Sequence, residues 1–549
     1  MRRESFVHIF FVYALLACGA VIFSWPFVWM TSTSVKIDRE IFAEKLHMFP
    51  QRPIPALRSP YVDERYFADV DTRRLSALFS AVQQRLSEID YAWPDDIDRQ
   101  TAIEQCARGI LKKLALTLPA NLWQKPIDEL CAAALAQINA ALISDVFAQI
   151  RRALCFGELR IKSDNLAEEL LVTTDAVASS WKVLDSAHAT LVQTNAWGEL
   201  HYDFANAQRV ELSETFATQF PVARFYRILL SLRPDDSWHA LTCYIEKLGT
   251  LYKAERAFDL ADSRPSTIVW QEAGPDDRTN KQRMWITLRE IDRGVQYETD
   301  PHKIRIRFVV ERRSEAGAWW AKIRRNYRLT LDYIPFWRYV ATSLFLIVLN
   351  LVGTLFSCSL VAYSFARLQW PGRDVCFALM LGTMMIPAQV TMIPQFFIMR
   401  SLGWYNTLFP LWVGSFFANA FNVFLLRQFL KGIPRDLEDA AKIDGCGFWR
   451  IYWHIMLPLV KPTLAVIAIL TFMGVWNDFM GPLIYLSDQR LYPLSLGLYA
   501  LNVSTVSAGA ANFGVMMSGS LLMTLPVVAI FFFAQRYFLQ GITLTGMKG

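Results

Sequence analysis

The 549-residue chain is 53% hydrophobic and only 19% charged, which suits a membrane bundle joined to at least one water-soluble domain. Its formal charge of +6 does not mark a nucleic-acid binder, because the basic residues are scattered or gathered beside apolar runs. Two compositions sit under the average: residues 1–36 and about 336–549 are apolar runs with short polar joins, whereas 37–335 is charge-rich and has no 18-residue apolar stretch.

Arg2 and Arg3 precede an apolar run over 7–29, expected to be the first transmembrane span. A cleaved leader, or a lipoprotein-type site at Leu15 to Cys18, is the weaker reading, since the run continues past Cys18 to Met30 and Leu16 fits poorly. Segment 37–335 is expected to be an extracytoplasmic insert of α+β character, a helical part followed by an antiparallel β part. Leu75, Leu78, Phe79, Val82, Leu86 and Ile89, then Ile127, Leu130, Cys131, Ile138, Leu142, Val146 and Ile150, follow helical spacing and predict helices within about 62–195. From about 196 to 334 the period becomes two: Met284, Ile286 and Leu288, then Ile304, Ile306, Phe308 and Val310, then Tyr327, Leu329 and Leu331.

Four cysteines lie in the insert: Cys106, Cys131, Cys155 and Cys243. None has the CxxC spacing of a metal or redox site, and both disulfide pairing and buried thiols stay open. Its later part holds Trp197, Trp238, Trp270, Trp285, Trp319 and Trp320, for which core and interdomain packing is the leading reading. Trp319 and Trp320, as neighbours on a strand, would face opposite ways, so that one escapes the core and could meet a sugar ring or a partner.

Residues 336–549 are expected to form a core of five further spans at 340–364, 375–396, 408–426, 462–484 and 513–534, with a polar loop at 434–462. Arg2, Arg3, Arg367, Arg373, Arg427, Lys431, Arg435, Lys442, Arg450, Lys461, Arg536 and Lys548 fall on one face of this six-span arrangement, against Arg400 and Arg490 in the short joins of the other. The positive-inside rule then puts both termini and the polar loop in the cytoplasm and the insert outside. Asn419, Asn422, Trp476, Asn477 and Asp478 lie at or near membrane depth, where polar groups face a cavity or another helix; they are candidates for a solute path, with helix-to-helix hydrogen bonding an equal alternative.

No GxxxxGK[ST], HExxH or GxSxG occurs, so no catalytic residue, metal or cofactor is expected, and energy must come from a partner or a gradient. The polar loop contains "DLEDAAKIDGCGFWRIYWHIMLP" from Asp436 to Pro458. Phe448, Ile451, Tyr452 and Ile455 recur on one helix face, and Leu437, Ala440 and Ala441 suggest a shorter helix before them. Gly445 between them is expected at positive φ, breaking one helix from the next.

This stretch resembles the EAA loop of ABC-importer permeases at Asp439, Ala440, Ala441, Gly445, Ile455, Leu457 and Pro458; only the leading glutamate departs, with Glu438 beside it. "PFVWMTSTSVK", "LVAYSFARLQWPGR", "MMIPAQVTMIP", "FLLRQFLKGIP", "VWNDFMGPLIYL" and "QRYFLQGITLTGMKG" look like sugar permeases of the maltose-transporter class, its smaller subunit in particular. Gly481 stands where that family often has a bulky aromatic. The resemblance implies a second permease subunit, a cytoplasmic ATPase dimer that binds ATP, and an extracytoplasmic solute-binding protein, all at the inner membrane. It also implies that Glu438, Asp439, Ala440, Ala441, Asp444, Gly445, Phe448, Ile455, Leu457 and Pro458 dock the ATPase. An amphipathic loop lying on lipid is disfavoured by its three acids. A membrane receptor or scaffold on a permease shell is the alternative function. The resemblance gives no role to the roughly 265 added residues of the insert.

Overall fold

The computed structural model describes residues 6–42, 47–63, 76–93, 99–119, 122, 126–165, 168–173, 180–184, 187–194, 197–274, 285–507 and 512–546. Leu75 and Met284, which open two of the patterns above, lie outside them, as do Arg2, Arg3 and Lys548. The chain divides into two compact units, one built on Met1–Pro50 and Asn326–Gly549, the other on Gln51–Gly274 and Met284–Arg325.

The first unit is helical. Among the described residues three helices are long and apolar enough to cross a bilayer, over Phe10–Val35, Phe336–Arg367 and Phe513–Phe533. Helix Phe6–Val35 packs on Phe513–Gly546. Near their junction Asn326 Nδ2 donates to the carbonyls of Ser34 (2.9 Å) and Lys36 (2.8 Å), and Thr330 and Ser518 share a 2.7 Å hydroxyl contact. A Cβ at Gly514 would lie 2.4 Å from Asn326 Nδ2, so only glycine admits this approach.

The remaining expected spans are not straight helices. Arg373–Thr383 and Ala388–Ser401 meet at 98° across "MMIP", where Pro387 stands at the N-cap of the second helix. Span 408–426 is corrected to two 3-10 turns, Phe409–Leu411 and Val413–Phe416, and a 13-residue helix, Ala420–Gly432. Span 462–484 is corrected likewise: helix Lys461–Asn477 stops at Asp478, and Met480–Tyr485 is a separate turn and a half. A helix at Leu494–Ser507, not expected, completes the unit.

The second unit has two cores. Helices Ser76–Glu88, Arg99–Thr117, Ile127–Ala136 and Ala140–Ile150 bury Leu78, Val82, Leu86, Ile110, Leu130 and Val146. The last two helices meet at 87° and are apolar enough in composition for a broken span. Their apolar side chains are, however, used against the other two helices.

After these helices the chain turns to strands from Arg151, so the expected helical stretch to about 195 is corrected: Leu154–Ser163, Glu169–Val172, Lys182–Val183 and Ala189–Thr194 are all β. In spatial order the main sheet runs Arg58–Ser59, Trp197–Asp203, Leu154–Ser163, Phe225–Arg233, Ser266–Glu272, Ile286–Arg293, Thr250–Ala254, Ala240–Lys247, Lys303–Glu311, Arg209–Ala217, Lys182–Val183. Along this path the pairs are antiparallel except Ser266–Glu272 with Ile286–Arg293. Ile304, Ile306, Phe308 and Val310 point to one core, as their alternation predicts.

Tyr327, Leu329 and Leu331 are corrected from strand to helix. Glu315–Tyr333 is one helix, and its buried set is Ala318, Ala321, Lys322, Asn326, Leu329 and Thr330. Three of those six are polar, which hid the helical period from a pattern based on apolar residues. The same correction removes the strand argument for Trp319 and Trp320.

His239 ties the two ends of the second unit together. Its Nε2 meets the Ala56 carbonyl at 2.7 Å, near the unit's start, and its Nδ1 accepts from the Arg313 amide at 3.2 Å, near its end. That geometry fixes the neutral tautomer, since protonated Nδ1 would point a proton at an N–H donor. Burial lowers its pKa first of all; Asp235 opposes this and Arg312 and Arg313 add to it, while Tyr202 and Phe204 supply ring contacts. A lowered folded-state value means stability is lost as pH falls through the unfolded value of about 6.5. A fragment spanning 51–325 should fold as a soluble unit when exported, and lowering pH from about 7.5 to about 5.5 should reduce its Tm more than that of His239→Gln. Equal shifts by circular dichroism melting would remove His239 from the account.

Candidate functional site

Helix Asp436–Ile443 opens the polar loop, with Asp436, Glu438 and Asp439 all in its first turn, where acids complement the helix dipole. It ends as expected at Gly445, whose φ is +80°. The Asp444 amide donates to Ala440 O (3.0 Å), Gly445 to Lys442 O (3.0 Å) and Cys446 to Ala441 O (2.9 Å), closing the last carbonyls. A second helical segment starts at Phe448, widens into a π turn at Tyr452–Met456 and reaches Leu459, then meets helix Lys461–Asn477 at 75°.

The side chains divide by direction. Glu438 is buried, with Oε1 3.0 Å from Arg367 Nε, so it offers no charge to a partner's rim as its sequence position suggests. Ala441 is buried too, beside Ile451, Tyr452, Met456 and Leu430. Asp439, Ala440, Asp444, Gly445, Phe448 and Pro458 are exposed, while Ile455 and Leu457 are half-buried. Phe448, the first residue of the segment, is exposed and therefore parts from the buried Ile451 and Tyr452, with which it was expected to share a face. A Cβ on Gly445 would meet nothing within 4 Å, so φ rather than crowding within this chain demands glycine.

Of the loop's exposed apolar groups, sequence reasoning assigned only Phe448 to docking. Leu437, Ile443, Phe448, Trp449 and Trp453 are 46%, 87%, 60%, 65% and 48% exposed. Their clustering within 17 residues of a charge-bearing loop was the available signal, because water leaves such groups uncovered only at a cost.

The polar residues at membrane depth have structural tasks. Asn419 caps helix Ala420–Gly432, its Oδ1 accepting from the amides of Phe421 (3.0 Å) and Asn422 (3.3 Å). Asp478 Oδ1 accepts from Gly481 N at 3.1 Å, and a Cβ on Gly481 would fall 2.6 Å from Asp478 Oδ2, which accounts for glycine there. Trp476 is buried, donates to Met523 O at 2.9 Å and stacks on Phe472. Asn477 is exposed and bonds Met473 O, and Asn422 is half-buried.

In the second unit Trp238 and Trp270 are core residues, and Trp197 and Trp285 are half-buried. Trp320 is 55% exposed, on a helix, with the Arg324 guanidinium 5.1 Å from its ring centre; Trp319 is half-buried. Cys106, Cys131, Cys155 and Cys243 are free thiols. Burial pushes Cys106 up to about 12 and Cys155 up to about 11, so both are unreactive.

A helical membrane unit with an ordered two-helix polar loop defines a permease-type membrane component. Residues 358–544 match the family described as binding-protein-dependent transport system inner membrane component. The chain is 36% identical over 214 residues to the arabinooligosaccharides transport system permease protein AraQ of Halalkalibacterium halodurans, covering 39% of this chain and 75% of that protein. It is 34% identical over 208 residues to the lactose transport system permease protein LacG of Rhizobium radiobacter, covering 38% and 73%. A crystal structure of a bacterial ABC transporter involved in alginate import is similar at 29% identity and a TM-score of 0.35, over 39% of this chain and 79% of that one.

The chain belongs to this family of inner-membrane transport components. It is a multi-pass permease subunit, and ATP hydrolysis resides in a separate subunit. The family works with ATPase and binding-protein partners. The 51–325 unit lies outside the matched region.

Gly445→Val should leave the chain in the membrane at normal levels but abolish transport, because a β-branched residue at φ +80° costs about 1–3 kcal/mol of strain. Gly447→Val, at φ −75° and equally open, should transport normally. Uptake assays beside immunoblots of membrane fractions would separate the two, and equal behaviour would refute the role given to Gly445.

Proposed function

We propose that this chain is the permease subunit of an ATP-driven importer for an oligosaccharide or related sugar, and that it docks its ATPase through the 434–462 loop. The observation that carries the docking is the loop's geometry. Two short helical segments are set apart by an αL glycine, with Leu437, Ile443, Phe448, Trp449 and Trp453 exposed beside Asp439 and Asp444. An apolar centre with a charged rim suits a protein groove better than a lipid surface. The sugar class is supported by the arabinooligosaccharide and lactose permeases to which the chain is similar.

In this reading both termini and the loop are cytoplasmic, the chain crosses the membrane six times with the broken segments 373–401, 409–432 and 461–485 each as one crossing, and the 51–325 unit lies outside. The chain pairs with a second permease subunit and an ATPase dimer. Its outer unit docks the extracytoplasmic binding protein. Stacking on sugar is the lesser role, because Trp238 and Trp270 are buried and Arg324 occupies one face of Trp320. Asn422 and Asn477, the polar groups at membrane depth left without a capping task, are the best candidates to face the solute.

Two measurements test this. The purified chain should hydrolyse no ATP and should co-purify with its ATPase when the two are co-expressed; hydrolysis by this polypeptide alone would sink the proposal. A cysteine at Val295, 94% exposed, should react with a membrane-impermeant maleimide in intact spheroplasts, whereas one at Ile443 should react only after permeabilisation. The reverse pattern would overturn the orientation.

A further inference from the structure

We infer that Arg367 is the positioning residue through which the 434–462 loop moves the membrane helices. The inference rests on the proposed reading of that loop as the ATPase-docking segment. Arg367 is the last residue of the 32-residue helix Phe336–Arg367, and its side chain is only 3% exposed. Its Nε lies 3.0 Å from Glu438 Oε1 as an ion pair without hydrogen-bond geometry, in a side chain that is itself 8% exposed. Its Nη2 donates to the carbonyls of Leu430 and Ile433, the latter at 2.7 Å, where helix Ala420–Gly432 ends. One guanidinium thus joins the ends of two membrane helices to the first short helix of the loop.

The same face of the long helix also holds the second part of the loop. Tyr363, four residues before Arg367, has its ring centre 5.4 Å from that of Tyr452. Ser359, eight residues before, places its hydroxyl 2.7 Å from the Tyr452 hydroxyl. Residues spaced by four form one stripe on a helix, so Ser359, Tyr363 and Arg367 grip both helical segments from one side.

The chemistry of the grip is specific. A planar guanidinium can donate to two carbonyls through one nitrogen while another edge sets its charge against a carboxylate, which a lysine ammonium on a flexible stem does not reproduce. Separating the pair would leave a buried charge without compensation. The loop therefore cannot be displaced without carrying the end of the long helix along. Asp439 and Asp444, both exposed, remain available to a partner, whereas Glu438 is the inward link.

The experiment uses the full complex of this chain with its second permease subunit and ATPase dimer, lacking the exposed Cys18 and Cys376. Spin labels are placed at Phe345 on the long helix and at Leu470 on helix Lys461–Asn477, both exposed. Their distance is read with and without ATP and vanadate. The wild-type distance should shift on adding nucleotide. Glu438→Gln and Arg367→Met should keep the ATPase bound and hydrolysing yet lose more than half of that shift. Arg367→Lys should retain more of it than Arg367→Met.

An unchanged shift in Glu438→Gln and Arg367→Met overturns the inference while leaving the docking reading intact. Loss of ATPase binding in both, with Arg367→Lys no better, makes the pair a folding contact and overturns it as well. If the wild-type complex neither holds its ATPase nor shifts, the docking reading and the inference fall together.

Discussion

A bilayer offers no hydrogen bonds, so each break in a membrane helix has to be closed by the chain itself. That constraint organises the helical unit. Asn419 closes the start of Ala420–Gly432, and Asp478 closes the start of Met480–Tyr485. Asn350, in the middle of the long helix, donates to Leu411 O at 3.0 Å, and Ser357 donates to Ser415 O at 3.0 Å, each meeting a carbonyl freed by the 3-10 turns. Asn406 accepts from the amides of Ser487 (3.0 Å) and Asp488 (2.9 Å), joining two connections far apart in sequence. The polar residues of the apolar runs serve first as the closures that let the helices break, and the breaks set where the polar loop emerges.

The second unit solves a different problem, because both ends of its chain lead to the other unit. Its helical and β cores are separate, and the sheet brings strand Arg58–Ser59 against Trp197–Asp203. Around His239 the segment from Asp235 to Trp238 is held in an unusual conformation, with Asp236 and Trp238 at φ near +60°. Tyr202 donates to Asp235 Oδ2 at 2.6 Å, and Tyr61 to the Asp235 carbonyl at 2.7 Å. A buried polar cluster so fully connected rigidifies its surroundings, and here it lies where the entering and leaving segments meet.

Much of this was legible before the structure. The family-like loop, the helix break at Gly445 and the alternation of Ile304, Ile306, Phe308 and Val310 follow from spacing and from glycine's tolerance of positive φ. Failures arose where polar residues occupy buried positions. Lys322, Asn326 and Thr330 concealed the helix Glu315–Tyr333, and Glu438 was assigned to a surface because carboxylates usually belong there. Broken spans were drawn as continuous because hydropathy measures composition and is blind to a cap. The early strands from Arg151 onward were missed because Leu154, Cys155 and Phe156 are buried in succession, a run that periodicity does not separate from a helix.

The uncovered row of Leu437, Ile443, Phe448, Trp449 and Trp453 has a consequence for the cell. Asp439, Lys442 and Asp444 lie among these side chains, so hydrocarbon cannot cover them, and a copy that has found no partner displays them to water. Such a surface is what chaperones and membrane proteases recognise on unassembled subunits. If the proposed docking holds, copies synthesised in excess of their partners are the ones removed, and the abundance of this polypeptide then measures how many complete assemblies exist.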